Sequence, residues 1–203
     1  MNRQSTAILC FAVLILGLLA ACSSEPAKPV IAEKPKPKGP EAITGTSAMY
    51  KCYIAARGWA QDAQPYRVES QLSADSNGHD GKSLTWRAGF ASPAQHYAKP
   101  YTWSSGEVSP GVEDTYSAGN SSTAVFNIQF LKNDSDKAFE VAQKHGGDKL
   151  LEKEANTPIL YVLDWNRQTN ELTWHVIYGR DRDSAKLRVA VNAATGEFLR
   201  VEK

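Results

Sequence analysis

The side chains best suited to proton transfer or metal binding in this chain are four histidines that lie far apart in the sequence. They are His79, His96, His145 and His175. None has a second histidine four residues away or a cysteine partner, so the spacing of a zinc site is absent. No Gly-x-Ser-x-Gly segment accompanies them, and no catalytic residue is predicted. His175 and Trp174 are neighbours on one predicted strand, so their side chains point to opposite faces. We expect the His175 side chain to face solvent; contact with a partner protein is the alternative.

A second candidate is the segment GHDGKS, residues 78–83, whose glycines and lysine are similar to a phosphate-binding loop. That loop needs four residues between its glycines and a helix after its serine, so that backbone N–H groups face the phosphate. Only two residues separate Gly78 from Gly81, and the pattern that follows Ser83 is that of a strand. Nucleotide binding is therefore not predicted.

Two segments rich in side-chain oxygens, DWNRQTNE (164–171) and NDSDK (133–137), could coordinate a hard cation such as calcium. A calcium loop also needs a central glycine and a bidentate acid at its end, and neither is in register here. We interpret the first segment as a hairpin turn and the second as a helix cap. No metal site and no cofactor are predicted.

The cysteine with the clearest chemistry is Cys22. It follows an apolar run of 13 residues, Ala7–Leu19, which is too short to span a membrane and has the length of a signal-peptide core. The sequence LAAC (19–22) resembles the lipobox of bacterial lipoproteins. In that family the thiol, here that of Cys22, carries diacylglycerol, the leader (1–21) is removed, and the new amino terminus is acylated with a fatty acid such as palmitate. A plain secretory leader is the alternative.

Residues 22–46 form the predicted lipidated N-terminus and a proline- and lysine-rich disordered linker. Five of the 10 prolines fall between Ser23 and Pro40, and a stretch with so few large apolar groups cannot offset its ordering entropy. We interpret it as a tether; its lysines could also contact anionic lipid. By analogy with enteric bacteria, Ser23 after the lipidated cysteine directs the protein to an outer membrane.

The charge balance argues against nucleic acid as a partner. The chain has 23 basic and 22 acidic residues, and removal of the leader takes away Arg3, so the two signs become equal. No basic patch with interleaved aromatic residues occurs. Only Cys52 remains beyond the anchor, so we expect a hydrophobic core, not disulfides, to hold the exported domain.

The exported region contains an internal repeat. SLTWRAGFA (83–91) and ELTWHVIYG (171–179) have Leu-Thr-Trp at the same place, 88 residues apart, and both alternate with a period of two. An amphipathic helix precedes each, the first capped by Thr46 or Ser47, the second starting at Asp134–Asp136 and ending at Gly146-Gly147. We expect Trp86 and Trp174 to occupy equivalent core positions.

The pattern predicts an α+β fold made of two related units, each a helix on an antiparallel sheet. The first unit spans 47–108, a connector 109–122, and the second unit 123–203. Within the second, the alternation of STAVFNIQFL (122–131) favours a strand that leads into the helix.

The C-terminal 70 residues, Asp134–Lys203, resemble a PepSY-type domain. The residues that carry the resemblance are the helix DKAFEVAQKHGGD (136–148), the strands LTWHVIYG (172–179) and KLRVAVNA (186–193), and TGEFL (195–199). The first unit matches weakly and lacks a clear Thr-Gly-Glu. The family implies binding or regulation, in some members of proteases, with no catalytic residues to transfer.

These observations predict a lipid-anchored, non-catalytic binding or regulatory module of the cell envelope. Its partners would be the membrane, through the anchor, and an envelope protein. The alternative is a small envelope hydrolase whose dispersed polar residues converge in the fold.

Overall fold

The computed structural model describes residues 41–202, all of which belong to one compact unit. The leader, Cys22, Ser23 and most of the linker lie outside the described residues. Within 41–202, no helix has the length and apolar composition that a membrane-spanning helix requires.

The described residues form three α-helices packed with antiparallel strands. The helices are α1 (Gly45–Trp59), α2 (Ser135–Ala142) and α3 (Asp148–Lys153). The strands are β1 (Ile43–Thr44), β2 (Gln64–Ser70), β3 (Lys82–Ser83), β4 (Thr85–Ser92), β5 (Tyr97–Ser104), β6 (Glu107–Pro110), β7 (Asp114–Thr115), β8 (Ile159–Asn166), β9 (Glu171–Tyr178), β10 (Leu187–Asn192) and β11 (Phe198–Glu202). Nine strands make one sheet in the order β11-β10-β9-β8-β2-β4-β5-β6, with β7 paired to β5, while β1 pairs with β3.

The sheet consists of two similar halves. In the first, α1 precedes the meander β2, β4, β5, β6; in the second, α2 precedes the meander β8, β9, β10, β11. The halves join where β2 pairs antiparallel with β8, and Val68 lies opposite Leu163. Pairing of the first strand of each half with its counterpart is what a local twofold axis produces. The predicted α+β class, with a helix on an antiparallel sheet, is confirmed.

Trp86 and Trp174 pack together at the centre of the core. Both are 0% exposed, and their rings meet edge to face with centroids 6.4 Å apart. The Trp86 indole N–H donates to the carbonyl of Ile43 at 2.8 Å, and that of Trp174 donates to the carbonyl of Asn133 at 2.9 Å. Each acceptor lies two residues before the first residue of a helix, so each tryptophan fixes the start of its own helix. The predicted equivalence is confirmed.

The two helices meet at their N-termini. The Asp134 carboxylate accepts from the backbone N–H of Ser135 at 2.7 Å and from that of Thr46 at 2.8 Å, so one side chain caps both helices. The predicted cap at Asp134 is confirmed. The predicted start of α1 at Thr46 or Ser47 is wrong, because α1 begins at Gly45, whose missing side chain admits the Trp174 ring; a Cβ there would lie 2.5 Å from it.

The strand predicted for residues 122–131 is wrong. That segment forms two 3-10 turns, Ser121–Thr123 and Ile128–Phe130. Ala124 and Phe126 are buried, and the Phe126 N–H donates to the Pro65 carbonyl at 2.9 Å. The apolar residues of this segment therefore mark the points where it is anchored as it crosses the molecule, and no neighbouring strand pairs with the segment.

The glycines predicted to end α2 redirect the chain instead. Helix α2 ends at Ala142, a kinked turn spans Gln143–Gly147 with φ of 112° at Gly146, and α3 follows at once. A Cβ on Gly147 would lie 2.0 Å from the Tyr178 hydroxyl, so the close approach of the chain to β9 requires glycine.

The turn before the last strand of each half is also repeated. Ser105-Gly106-Glu107 leads into β6 as Thr195-Gly196-Glu197 leads into β11, and the glycines have φ of 95° and 79°. The first half thus has a counterpart of the Thr-Gly-Glu turn, in which serine replaces threonine. Strand β6 (Glu107–Pro110), which follows this turn, extends into the segment 109–122 that was predicted as a connector.

Candidate ligand-binding site on the open face of the sheet

The sheet has one face covered by α1 and α2 and an opposite face, which we call the open face. Side chains alternate between the two along each strand. On β9, Leu172, Trp174, Val176 and Tyr178 belong to the core under the helices. Glu171, Thr173, His175 and Ile177 therefore lie on the open face.

The open face of the first half is apolar and covered by the connector. Tyr116 is 6% exposed and packs on Ala91 and Ala98, with Tyr66 and Val125 beside them. Gly89 lies under the Tyr66 ring, where a Cβ would be 2.3 Å from it.

The open face of the second half carries a buried histidine between two carboxylates. His175 is 6% exposed; its Nε2 lies 3.1 Å from Asp164 Oδ1 and its Nδ1 lies 2.9 Å from Glu202 Oε1. The expectation that His175 faces solvent is wrong. Asp164 comes from the neighbouring strand β8, and Glu202 comes from β11, which is separated from β9 by β10.

The contacts of His175 favour its charged form. Burial lowers the pKa of the imidazole, but the hydrogen bonds and charges of Asp164 and Glu202 outweigh burial and raise that pKa above its usual value. Burial raises the pKa of each carboxyl, yet the bond to His175 and the nearby Arg182 lower both below their usual range. Both ring nitrogens face carboxylates, and both can donate at the same time only when the ring is an imidazolium.

An ion-pair network extends from this centre across β2. Arg67 Nη1 lies 3.4 Å from Asp164 Oδ2, and Arg67 Nε lies 2.8 Å from Glu69 Oε2. At the other end Arg200 Nη2 lies 3.4 Å from Glu202 Oε1. The half-buried acids of the open face thus already have cationic partners.

A pocket of about 400 Å³ opens beside Asp164. Its lining combines three arginines with hydroxyl, amide and aromatic groups: Tyr66, Arg67, Ser121, Ser122, Asp164, Trp165, Asn166, Arg167, Gln168 and Arg182. Arg167 donates to the Ala118 carbonyl, and Arg182 is near enough to Asp164 and Glu202 to lower the pKa of both. Among residues 41–202, neither Arg167 nor Arg182 has a carboxylate within 4.0 Å.

The loop 78–83 has a packing role in this structure. The Tyr161 hydroxyl donates to the Gly78 carbonyl at 2.5 Å, and the Ser135 hydroxyl donates to the Gly81 carbonyl at 2.6 Å.

A larger depression of about 780 Å³ lies beside this loop, but neither lysine nor arginine lines it. Its one histidine, His79, is bonded through Nε2 to the Thr157 carbonyl at 2.8 Å. The smaller pocket on the open face offers more binding chemistry.

The other side chains singled out in the sequence do not belong to the open-face site. His145 stacks on Phe198 with centroids 3.7 Å apart, and His96 occupies the β4–β5 turn with φ of 59°. Burial raises the pKa of the Cys52 thiol to about 12, which makes it unreactive. Within 41–202, no three His, Cys, Asp or Glu side chains are placed to hold a metal ion.

The segment DWNRQTNE forms the β8–β9 turn, as predicted. The Asn166 side chain accepts from the backbone N–H of Gln168 at 2.9 Å, and Asn170 has φ of 57°. Two of its residues that the sequence pattern did not single out, Asp164 and Arg167, line the open-face pocket. Arg67 and Arg182 were overlooked as well, since only the order of the strands brings them together.

Comparison with known proteins gives one structural relative. No protein-family profile matches the sequence, and no curated protein is significantly similar to it. The fold is similar to the crystal structure of a candidate lipoprotein from Clostridium difficile 630, with a TM-score of 0.52 and 12% identity. The match covers 76% of this chain and 91% of that chain, so the two proteins share a fold over most of their length.

Proposed function

We propose that this chain is a lipid-anchored, non-catalytic binding module of the cell envelope, and that it holds its partner protein at the open face of the second half. The observation that carries the proposal is the difference between the two halves. The connector covers the open face of the first, whereas a pocket lined by Arg167 and Arg182 of the second half, and by Tyr66 and Arg67 where β2 adjoins it, is open.

The chemistry around His175 supports a non-catalytic role. A general base must present a nitrogen lone pair to a substrate or to a nucleophile. Both nitrogens of His175 are instead within 3.1 Å of a carboxylate, and the ring is buried. The ion-pair network around His175 stabilises this face, and Arg167 and Arg182 remain available to bind a ligand.

The anchor is supported by the sequence and by the structural relative. LAAC (19–22), the apolar run before it and the proline-rich linker after it all favour lipidation at Cys22 and a tethered domain. The relative is itself described as a candidate lipoprotein. Ser23 favours the outer membrane in a host that has one. Cys22→Ala should abolish labelling by a fatty-acid probe, and equal labelling would exclude the anchor.

One observation favours a second function, that of a small hydrolase. The Asp164–His175 pair is similar to the orienting half of a Ser-His-Asp triad. In a triad, however, the second nitrogen faces a nucleophile, and here it faces Glu202 at 2.9 Å. The binding function is therefore the better supported.

In-cell crosslinking tests the proposal. A photo-crosslinking amino acid replaces Ser122 at the pocket or, as the control, Ile54, which is 76% exposed on the outer side of α1. Expression in a deletion strain keeps the anchor and the natural partner. We expect a discrete adduct from position 122, absent from position 54 and lost when Arg167 and Arg182 are both changed to glutamine.

Two results would contradict the binding proposal. One is the same adduct pattern from both positions. The other is a His175→Gln protein that is folded and correctly localised, gives the adduct, yet reproduces the deletion phenotype, which would favour the hydrolase.

A further inference from the structure

We propose that the open-face pocket binds a carboxylate, supplied by an Asp or Glu side chain of an extended segment of the partner protein. This inference rests on the binding function proposed above and names the chemistry of the ligand. It follows from the charges around the pocket, its aromatic lining and its size.

The charge that a ligand would meet is positive. Arg67 is already engaged by Asp164 and Glu69, and Asp164 is also bound to His175. Arg167 and Arg182 therefore remain as guanidinium groups without a carboxylate among residues 41–202. Guanidinium groups bind oxyanions through paired N–H donors, and charge-assisted hydrogen bonds of this kind are about twice as strong as neutral ones.

The acid beneath the pocket selects among anions. Asp164 is ionised, because His175, Arg67 and Arg182 lower the pKa of its carboxyl against the effect of burial. A phosphate group brings up to two negative charges close to this carboxylate, whereas a carboxylate brings one. The monoanion is therefore favoured.

The other lining groups suit a peptide. Ser121 is exposed and supplies a hydroxyl donor, whereas the Ser122 hydroxyl already donates to Asn120 Oδ1 at 2.7 Å. Tyr66 and Trp165 supply aromatic surface for the methylene groups of an acidic side chain. A volume of about 400 Å³ holds one such side chain together with part of its backbone. An acidic residue with its neighbours fills the pocket better than a free small anion does.

Selection from a random peptide library displayed on phage tests the inference, with the full chain purified in detergent as bait. We expect retained peptides to be rich in Asp and Glu. Because each substitution removes a charge-assisted hydrogen bond, Arg167→Gln and Arg182→Gln should each weaken the binding of a retained peptide at least about tenfold. Both side chains are exposed, so both variants should fold.

A matched control separates local chemistry from net charge. Lys51→Gln with Arg57→Gln removes the same two charges from the exposed side of α1 and should leave the acidic preference intact. Glutarate should displace retained peptides, and inorganic phosphate at equal ionic strength should not.

Three outcomes would overturn the inference: no enrichment of acidic residues, enrichment that survives the double Arg167→Gln/Arg182→Gln change, or better displacement by phosphate than by glutarate. If the Ser122 adduct persists in cells while any of these occurs, the binding function stands and the carboxylate assignment fails. If the adduct is absent as well, both fail.

Discussion

The two halves of the sheet have nearly the same core and opposite open faces. Under the helices, Trp86 and Trp174 have the same burial, the same kind of acceptor and contact with each other. On the other side, the first half packs Tyr116 against Ala91 and Ala98, and the second half holds an imidazolium between two acids. Because the duplicated core constrains only one face of each half, the chemistry of the other face can diverge.

One pair of equivalent positions makes the contrast concrete. His175 follows Trp174 as Arg87 follows Trp86, and both lie on the open face. His175 is buried between acids, whereas the Arg87 side chain is 54% exposed and lies 3.8 Å from Glu69. The same place in the fold is thus a buried charge centre in one half and a solvated surface pair in the other.

The largest expected effect tests the shared core. Trp86→Ala and Trp174→Ala should each lower the free energy of unfolding by about 3–5 kcal/mol, because each removes a fully buried ring and an indole hydrogen bond. Urea melts of the unlipidated protein measure the loss. Trp59→Ala, at a half-buried position on α1, is the control and should cost clearly less. A loss below about 1 kcal/mol for either core tryptophan would break the equivalence of the halves.

The next effect tests the contrast between open faces. His175→Gln should lower the free energy of unfolding by about 2–3 kcal/mol at pH 6, because it leaves Asp164 and Glu202 facing each other without the cation they share. Arg87→Gln, the equivalent change in the first half, should cost less than about 0.5 kcal/mol, as is usual for an exposed pair.

The pH dependence of the free energy of unfolding distinguishes His175 from Arg87. The raised pKa of His175 gives stability that is full below about pH 6.5 and is lost as the pH rises through the folded-state value. The lowered pKa values of Asp164 and Glu202 give stability present above about pH 4 and lost as the pH falls through theirs. Melts from pH 5 to 8 should show a decline that His175→Gln removes and Arg87→Gln keeps. A decline unchanged in His175→Gln would exclude the imidazolium.

The sequence predicted features that local patterns encode. The period of two around Leu-Thr-Trp, the cap at Asp134 and the turn at 166–170 each depend on residues close in the chain. The strand at 122–131 was wrong because the apolar alternation of Ala124 and Phe126 is the same whether or not a partner strand runs alongside.

The site was overlooked for a related reason. Asp164, His175 and Glu202 span 39 residues and meet only because β8, β9 and β11 occupy particular places in the sheet. A single strand shows His175 alternating with Trp174, and that pattern is compatible with solvent. Glu202 reaches His175 from β11, across the intervening strand β10, and no pattern within β9 indicates that contact.

The smallest effect tests the symmetry of the helix starts. Asp134 accepts from the backbone N–H groups of Ser135 and Thr46, whereas Thr44, at the equivalent position before α1, accepts from no backbone N–H of α1; its hydroxyl donates to the Ser47 side chain at 2.9 Å. Asp134→Ala should therefore cost about 1–2 kcal/mol, since it leaves two backbone N–H groups of two helices without a partner. Thr44→Ala should cost only a few tenths of a kcal/mol. Chemical denaturation at pH 7 measures both, and hydrogen exchange at Ser135 and Thr46 reports on each helix separately. We expect faster exchange at both amides in Asp134→Ala. Protection that is lost at Ser135 and kept at Thr46 would mean that α1 has a cap of its own and that the helices are fixed independently.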